Sequence, residues 1–224
     1  MSSRPTSAPT VDTFGLPAYS ATRLGCAALL ALVVVAACTT DSNVNNNPAL
    51  PGDAPRVVIE TSLGTIVIGL YEEQSPITVA NFLAYVDAGF FDGTAFHRVI
   101  LGFMIQGGGY IPQGGGRFER KDRLPSIVLE SDNGLKNLRG TVTMARAGRP
   151  DTASSEFFIN LVDNQRLDRF GDVQLGYAVF GAVLEGMDIV DAIAEVPTQV
   201  VVTFPDERAT PVEDVMILVV RRQD

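Results

Sequence analysis

The sequence predicts a mainly β fold, a closed eight-stranded antiparallel barrel capped by two α-helices, and three observations carry that expectation. From residue 56 onward, short apolar runs rich in Val and Ile are divided by Gly, Asp and Pro, the pattern of strands and turns. Only two segments space their apolar residues as a helix does, and they lie far apart in the chain. Strands therefore do not alternate with helices, as a doubly wound sheet would demand.

Two β-branched runs, 57–61 and 65–71, flank Ser62, Leu63 and Gly64, a turn signal that pairs them as an antiparallel hairpin. A helix is expected over 75–86. Ser75 serves as N-cap, Pro76 fits the first turn where a missing N–H costs nothing, Val79, Phe82, Leu83 and Val86 share a face, and Gly89 stops it. Strands are expected over 95–100, 103–106, 140–147, 157–161, 177–183 and 215–221. The second helix, over 187–195, carries Ile189, Val190 and Ile193 on one side. Residues 110–137, rich in Gly and charge, read as a long surface loop of the kind that often carries function.

The first 55 residues are of another kind. Arg4 and Arg23 precede an uncharged apolar run over 24–37, shorter than the about 20 residues of a membrane span but suited to a signal-peptide core. The run ends Val35, Ala36, Ala37, Cys38, which resembles the lipobox of bacterial lipoproteins, where the cysteine is acylated and becomes the mature N-terminus. The expectation is a signal peptide over 1–37, a lipidated Cys38 with a flexible tether over 38–55, and a folded domain over 56–222. Cys26, the other cysteine, would leave with the signal, so no disulfide is expected. Thr39 after the cysteine favours the periplasmic face of the outer membrane under the sorting rule of Gram-negative bacteria. An ordinary cleavage site and an uncleaved anchor are the alternatives, and the latter changes location without changing chemistry.

Composition narrows the function. With 224 residues, 46% of them hydrophobic, the chain suits one domain with a sizeable core. A net charge of -9 with scattered Lys and Arg argues against nucleic acid as a partner. His97 is the single histidine and no triad partner accompanies it, so it reads as structural, and zinc or protease chemistry has no residue set. The runs of Gly at 107–109 and 114–116 lack the lysine and helix of a phosphate loop and read as turns. No metal and no cofactor are expected, and the chain is expected to be a monomer.

One stretch, 96–109, places Arg98 among apolar residues at strand-like alternation. A guanidinium there needs a polar partner, and the carbonyl of a bound ligand is a candidate acceptor. Phe96, His97, Arg98, Val99 and Ile100, followed by Phe103, Met104, Ile105, Gln106, Gly107 and Gly108, form a first block. Gly140, Thr141, Val142, Thr143, Met144, Ala145 and Arg146, then Ser155, Glu156, Phe157, Phe158, Ile159 and Asn160, form a second, and Tyr177 to Gly181 with Gly186 and Met187 complete the pattern. Together these residues resemble the cyclophilins, peptidyl-prolyl cis-trans isomerases, and the short loop 87–93 is similar to the compact bacterial branch.

The resemblance implies roles. Arg98 would stabilise the amide nitrogen in the twisted state, and Gln106 would hold Arg98 and contact the peptide. Phe103, Met104, Phe158 and Leu167 would line the proline pocket, with Tyr177 at its rim, while Ala145 and the Arg146 backbone would meet the segment before proline. Glu156 stands where many members have glutamine, and it would orient Arg98 or pair with Arg146. Arg166 stands where animal members often carry a tryptophan that contacts cyclosporin. The implied partners are proline-containing polypeptides, and the implied function is X-Pro rotation in exported proteins, assisting their folding. A non-catalytic proline-peptide-binding or holdase module on the same fold is the rival.

Overall fold

The computed structural model describes residues 47–204 and 208–223; the expected signal peptide and Cys38 lie outside them. In chain order these form β1 (Arg56–Thr61), β2 (Gly64–Leu70), α1 (Pro76–Asp87), β3 (Thr94–Ala95), β4 (Arg98–Ile100), β5 (Met104–Gly107), β6 (Tyr110–Pro112) and β7 (Phe118–Arg120). There follow β8 (Thr141–Met144), β9 (Phe157–Asn160), β10 (Val179–Glu185), α2 (Met187–Ala194), β11 (Thr198–Gln199), β12 (Thr210–Pro211) and β13 (Met216–Gln223).

Nine strands make one strongly curled antiparallel sheet in the order β3-β13-β1-β2-β10-β8-β9-β5-β4. The class is the expected one, but the sheet has nine strands among the described residues, not the eight of a closed barrel. The segment expected as one strand over 95–100 is two, because it exchanges β13 for β5 as partner across Phe96 and His97. The sheet's two edges thus belong to one short piece of chain, which joins them covalently. The expected surface loop over 110–137 carries a small ribbon of its own, β6 against β7.

The β1–β2 hairpin forms in the anticipated register, from Arg56 opposite Gly69 to Thr61 opposite Gly64. Thr61 closes its turn, since its Oγ1 accepts from the Leu63 and Gly64 amides at 3.1 Å each and donates to the Gly64 carbonyl at 2.7 Å. Gly64 takes φ 143°, where a side chain would also strike Ile189 of α2.

Helix α1 buries the stripe that its spacing promised, with Val79 and Phe82 fully enclosed. Phe82 meets the rings of Phe91, Phe157 and Phe180 at centroid distances of 5.1, 5.6 and 5.1 Å, and burying such a ring stabilises by about 2–3 kcal/mol. In α2, Val190 and Ile193 are fully buried. Residues 47–55, the last part of the segment read as tether, lie against the folded body. Asn47 exchanges hydrogen bonds with the Lys136 backbone at 2.9 and 2.6 Å, and Tyr71 donates its hydroxyl to the Pro48 carbonyl.

The N-terminus of α1 is held differently from the expectation. Ser75 occupies the N-cap position, yet its hydroxyl donates to the Val179 carbonyl at 2.8 Å and does not cap. Glu130, from the long loop, accepts instead: the Ile77 amide at 3.2 Å, and the Thr78 amide and hydroxyl at 2.7 Å each. A carboxylate there satisfies two orphan donors and meets the positive end of the helix dipole. Glu130→Ala is expected to lower stability by about 1 kcal/mol, read as an earlier midpoint in chemical denaturation; an unshifted midpoint would remove Glu130 as the cap.

Candidate active site

Successive side chains on a strand point to opposite faces, and the register converts that alternation into rows. Val99, Ile105, Ile159 and Val142 pair across β4, β5, β9 and β8, and all are buried in the core. The adjacent row on the other face is Arg98, Gln106, Phe158 and Thr143, followed by Ile100, Met104 and Asn160. The residues singled out from the two sequence blocks thereby become neighbours.

Arg98 is half-buried, with Nη1 3.5 Å from Gln106 Oε1 and 3.7 Å from Met104 Sδ, and its guanidinium lies 5.9 Å from the centre of the Phe103 ring. Gln106 donates from Nε2 to Glu156 Oε2 at 2.9 Å. An ionised carboxylate only accepts, so this bond fixes the Gln106 amide with its oxygen toward Arg98. Glu156 therefore reaches Arg98 through Gln106. The direct pairing with Arg146 is not formed.

Glu156 gathers three donors. Besides Gln106, Arg120 meets Oε1 at 2.8 Å and His97 Nε2 stands 3.5 Å from Oε2. Burial pushes this carboxyl up, but the hydrogen bonds and charges of His97 and Arg120 outweigh it and hold it down at about 2. Gly109 makes the room, since a Cβ there would come within 2.5 Å of Glu156 Cγ. His97 is buried between the rings of Tyr110 and Phe204, at 4.6 and 5.3 Å, as a packing residue would be.

The apolar residues assigned to the proline ring adjoin Arg98 on Phe103 and Met104. Phe158 packs edge-on to Tyr177 at 5.8 Å, and Tyr177 donates its amide to the Leu167 carbonyl at 2.9 Å, which brings Leu167 beside them. A buried amide cluster that sequence reasoning missed fixes this wall. Asn164 donates to the Phe103 carbonyl at 2.9 Å and to Asn160 Oδ1 at 2.7 Å. Asn160 in turn donates to Thr141 Oγ1 at 2.9 Å, and Asn137 binds Asp168 Oδ1 through its amide at 2.7 Å. Two cations stack around the wall: Arg166 lies 4.4 Å from the Phe103 ring and Arg146 4.6 Å from the Tyr177 ring.

Arg98 and Gln106 also border a groove of about 660 Å³ that runs past Ala145, Glu156, Tyr110 and Arg120. Phe103, Met104, Phe158, Leu167 and Tyr177 do not line it. Arg98 and Gln106 thus stand between the apolar side chains of Phe103 and Met104 and this groove.

The depressed Glu156 titration makes a stability prediction. With a folded value of about 2 against an ordinary 4.5, its pairing stabilises the fold above about pH 4.5 and is lost as the pH falls from there through about 2. Glu156→Gln cannot ionise, so the stability advantage of the natural chain over this variant should shrink between about pH 5 and pH 2.5 in denaturant titrations; parallel curves would contradict it.

A family model described as cyclophilin type peptidyl-prolyl cis-trans isomerase/CLD matches residues 56–222. Peptidyl-prolyl cis-trans isomerase A of Dickeya dadantii is 45% identical over 156 residues, 70% of this chain and 80% of that protein. A peptidyl-prolyl cis-trans isomerase of Acinetobacter baylyi is 46% identical over 165 residues, 74% of this chain and 84% of that one. Among solved structures, a cyclophilin type isomerase of Cryptosporidium parvum superposes with a TM-score of 0.59 at 26% identity, covering 76% of this chain and 98% of its own. A crystal structure of that isomerase in the presence of the dipeptide Ala-Pro gives 0.58 at 27% identity, covering 75% and 99%. A family model spanning the folded region and relatives almost half identical lead to one conclusion: the chain belongs to the cyclophilin-type peptidyl-prolyl cis-trans isomerases.

Proposed function

We propose that this isomerase turns X-Pro bonds of exported polypeptides with Arg98 as its catalytic residue, and that it works from a lipid anchor at Cys38. The observation that supports the catalytic reading is the meeting of Arg98 with Gln106, Met104 and Phe103 at the edge of the groove. X-Pro rotation meets a barrier of about 20 kcal/mol because the nitrogen lone pair is delocalised into the carbonyl. No nucleophile and no proton transfer are required. The cleft of Phe103, Met104, Phe158 and Leu167 grips the ring, while the guanidinium donates to the nitrogen as its lone pair localises in the twisted state. Gln106, oriented by Glu156, keeps the guanidinium in place, so the donor is set before the reaction and its benefit falls on the transition state.

The export reading rests on the uncharged apolar run over 24–37 and its Ala36, Ala37, Cys38 ending. The described body begins at Asn47, nine residues beyond Cys38, a span of at most about 30 Å. An acylated Cys38 would tether the chain to a bilayer, and Thr39 after it favours outer-membrane retention.

Arg98→Ala should remain folded and lose about 100-fold in kcat/KM on a proline peptide, measured by protease-coupled or NMR exchange assay. Unchanged activity would remove Arg98 from its role, and a natural chain that binds the peptide without accelerating it would establish the holdase reading instead. For the anchor, mass spectrometry of the mature N-terminus should find a diacylglyceryl Cys38; an N-terminus at any other residue overturns the lipoprotein assignment.

A further inference from the structure

The groove beside Arg98 is out of character with the rest of the molecule. The chain carries 26 acidic against 17 basic residues, yet among the described residues four arginines, Arg98, Arg120, Arg123 and Arg146, line the groove with one carboxylate, Glu156. Glu156 is engaged by Arg120 and His97. Arg123 has a different setting: Nη1 donates to the hydroxyl of Ser154 at 3.1 Å, a neutral partner, and among the described residues no carboxylate forms an ion pair with it. Asp122 and Glu119, its acidic neighbours in sequence, are absent from the groove wall.

From these observations we infer that the groove takes an acidic side chain of the substrate, an Asp or Glu in the segment before the proline, and that Arg123 is the selecting residue with Arg120 beside it. This rests on the isomerase reading of Arg98, which places the twisting X-Pro bond at the groove's edge. The polypeptide preceding the proline then passes over Ala145 and Arg146 toward Thr152, Ser154 and Arg123. A guanidinium offers a carboxylate two parallel N–H donors, the strongest pairing available to a substrate side chain there. With a net charge of -9, the chain as a whole repels an acidic peptide, so the preference arises inside the groove and from short-range contact. A lysine in the same place would face Arg123 and Arg120 and be disfavoured.

The experiment measures kcat/KM on proline peptides bearing Glu, Gln or Lys, one at a time, at each of the three positions before proline. At one of these positions Glu should exceed Lys by about fivefold, the worth of a partly exposed ion pair. Arg123→Glu should bring that ratio to one or below, with the Gln peptide on the same variant separating lost selectivity from lost fold. A ratio near one at all three positions, or a ratio that Arg123→Glu leaves unaltered, overturns this inference while the isomerase reading stands. A natural chain inactive on every peptide overturns both.

Discussion

Everything the molecule does at its surface depends on the pairing register of β4, β5, β9 and β8. Because side chains alternate with a period of two, the same four strands present Val99, Ile105, Ile159 and Val142 to the core and Arg98, Gln106 and Phe158 to the opposite face, that of the proposed site. A one-residue slip would drive the arginine inward and the isoleucines outward, so the burial of apolar side chains enforces the geometry of the site. Stability and the layout of the proposed site share one cause here. The core row needs no polar partner, and the functional row cannot do without one.

That second requirement is met in layers. Arg98 contacts Gln106, Gln106 donates to Glu156, and Glu156 is bound from its far side by Arg120, which itself stacks at 5.4 Å on Tyr110. A carboxylate in place of an amide removes the ambiguity of which way Gln106 points, since only one orientation satisfies both neighbours. On the other flank, the Asn160 and Asn164 amides tie the Phe103 carbonyl to the loop that carries Leu167. Buried polar groups of this sort stabilise only when every member is satisfied, and they hold a wall in place with a definiteness that apolar packing lacks.

Much of this was legible in the sequence, and what was not has an identifiable reason. The hairpin at Gly64, the helix behind Pro76 and the strand with Arg98 are local patterns, written in consecutive residues. The split of the strand over 95–100 was invisible because it reflects a change of partner, from β13 to β5, rather than any change in composition. Ser75 reads as a cap by every local rule, yet Val179 captures its hydroxyl and Glu130, 55 residues away, takes over the helix end. Glu156 drew notice for its charge, but its partners, Gln106, Arg120 and His97, come from segments whose approach only the folded chain reveals. Gly109 illustrates the same limit: it reads as a turn residue, and its task is to leave space for a carboxylate.

The sheet ends in two very short strands, β3 with two residues and β4 with three, both cut from one piece of chain. For an isomerase that must meet other polypeptide chains, that shape has a protective effect. Each of these two edge strands offers an extended chain only two or three residues along which to lay itself as an additional strand, the route by which β proteins associate edge to edge.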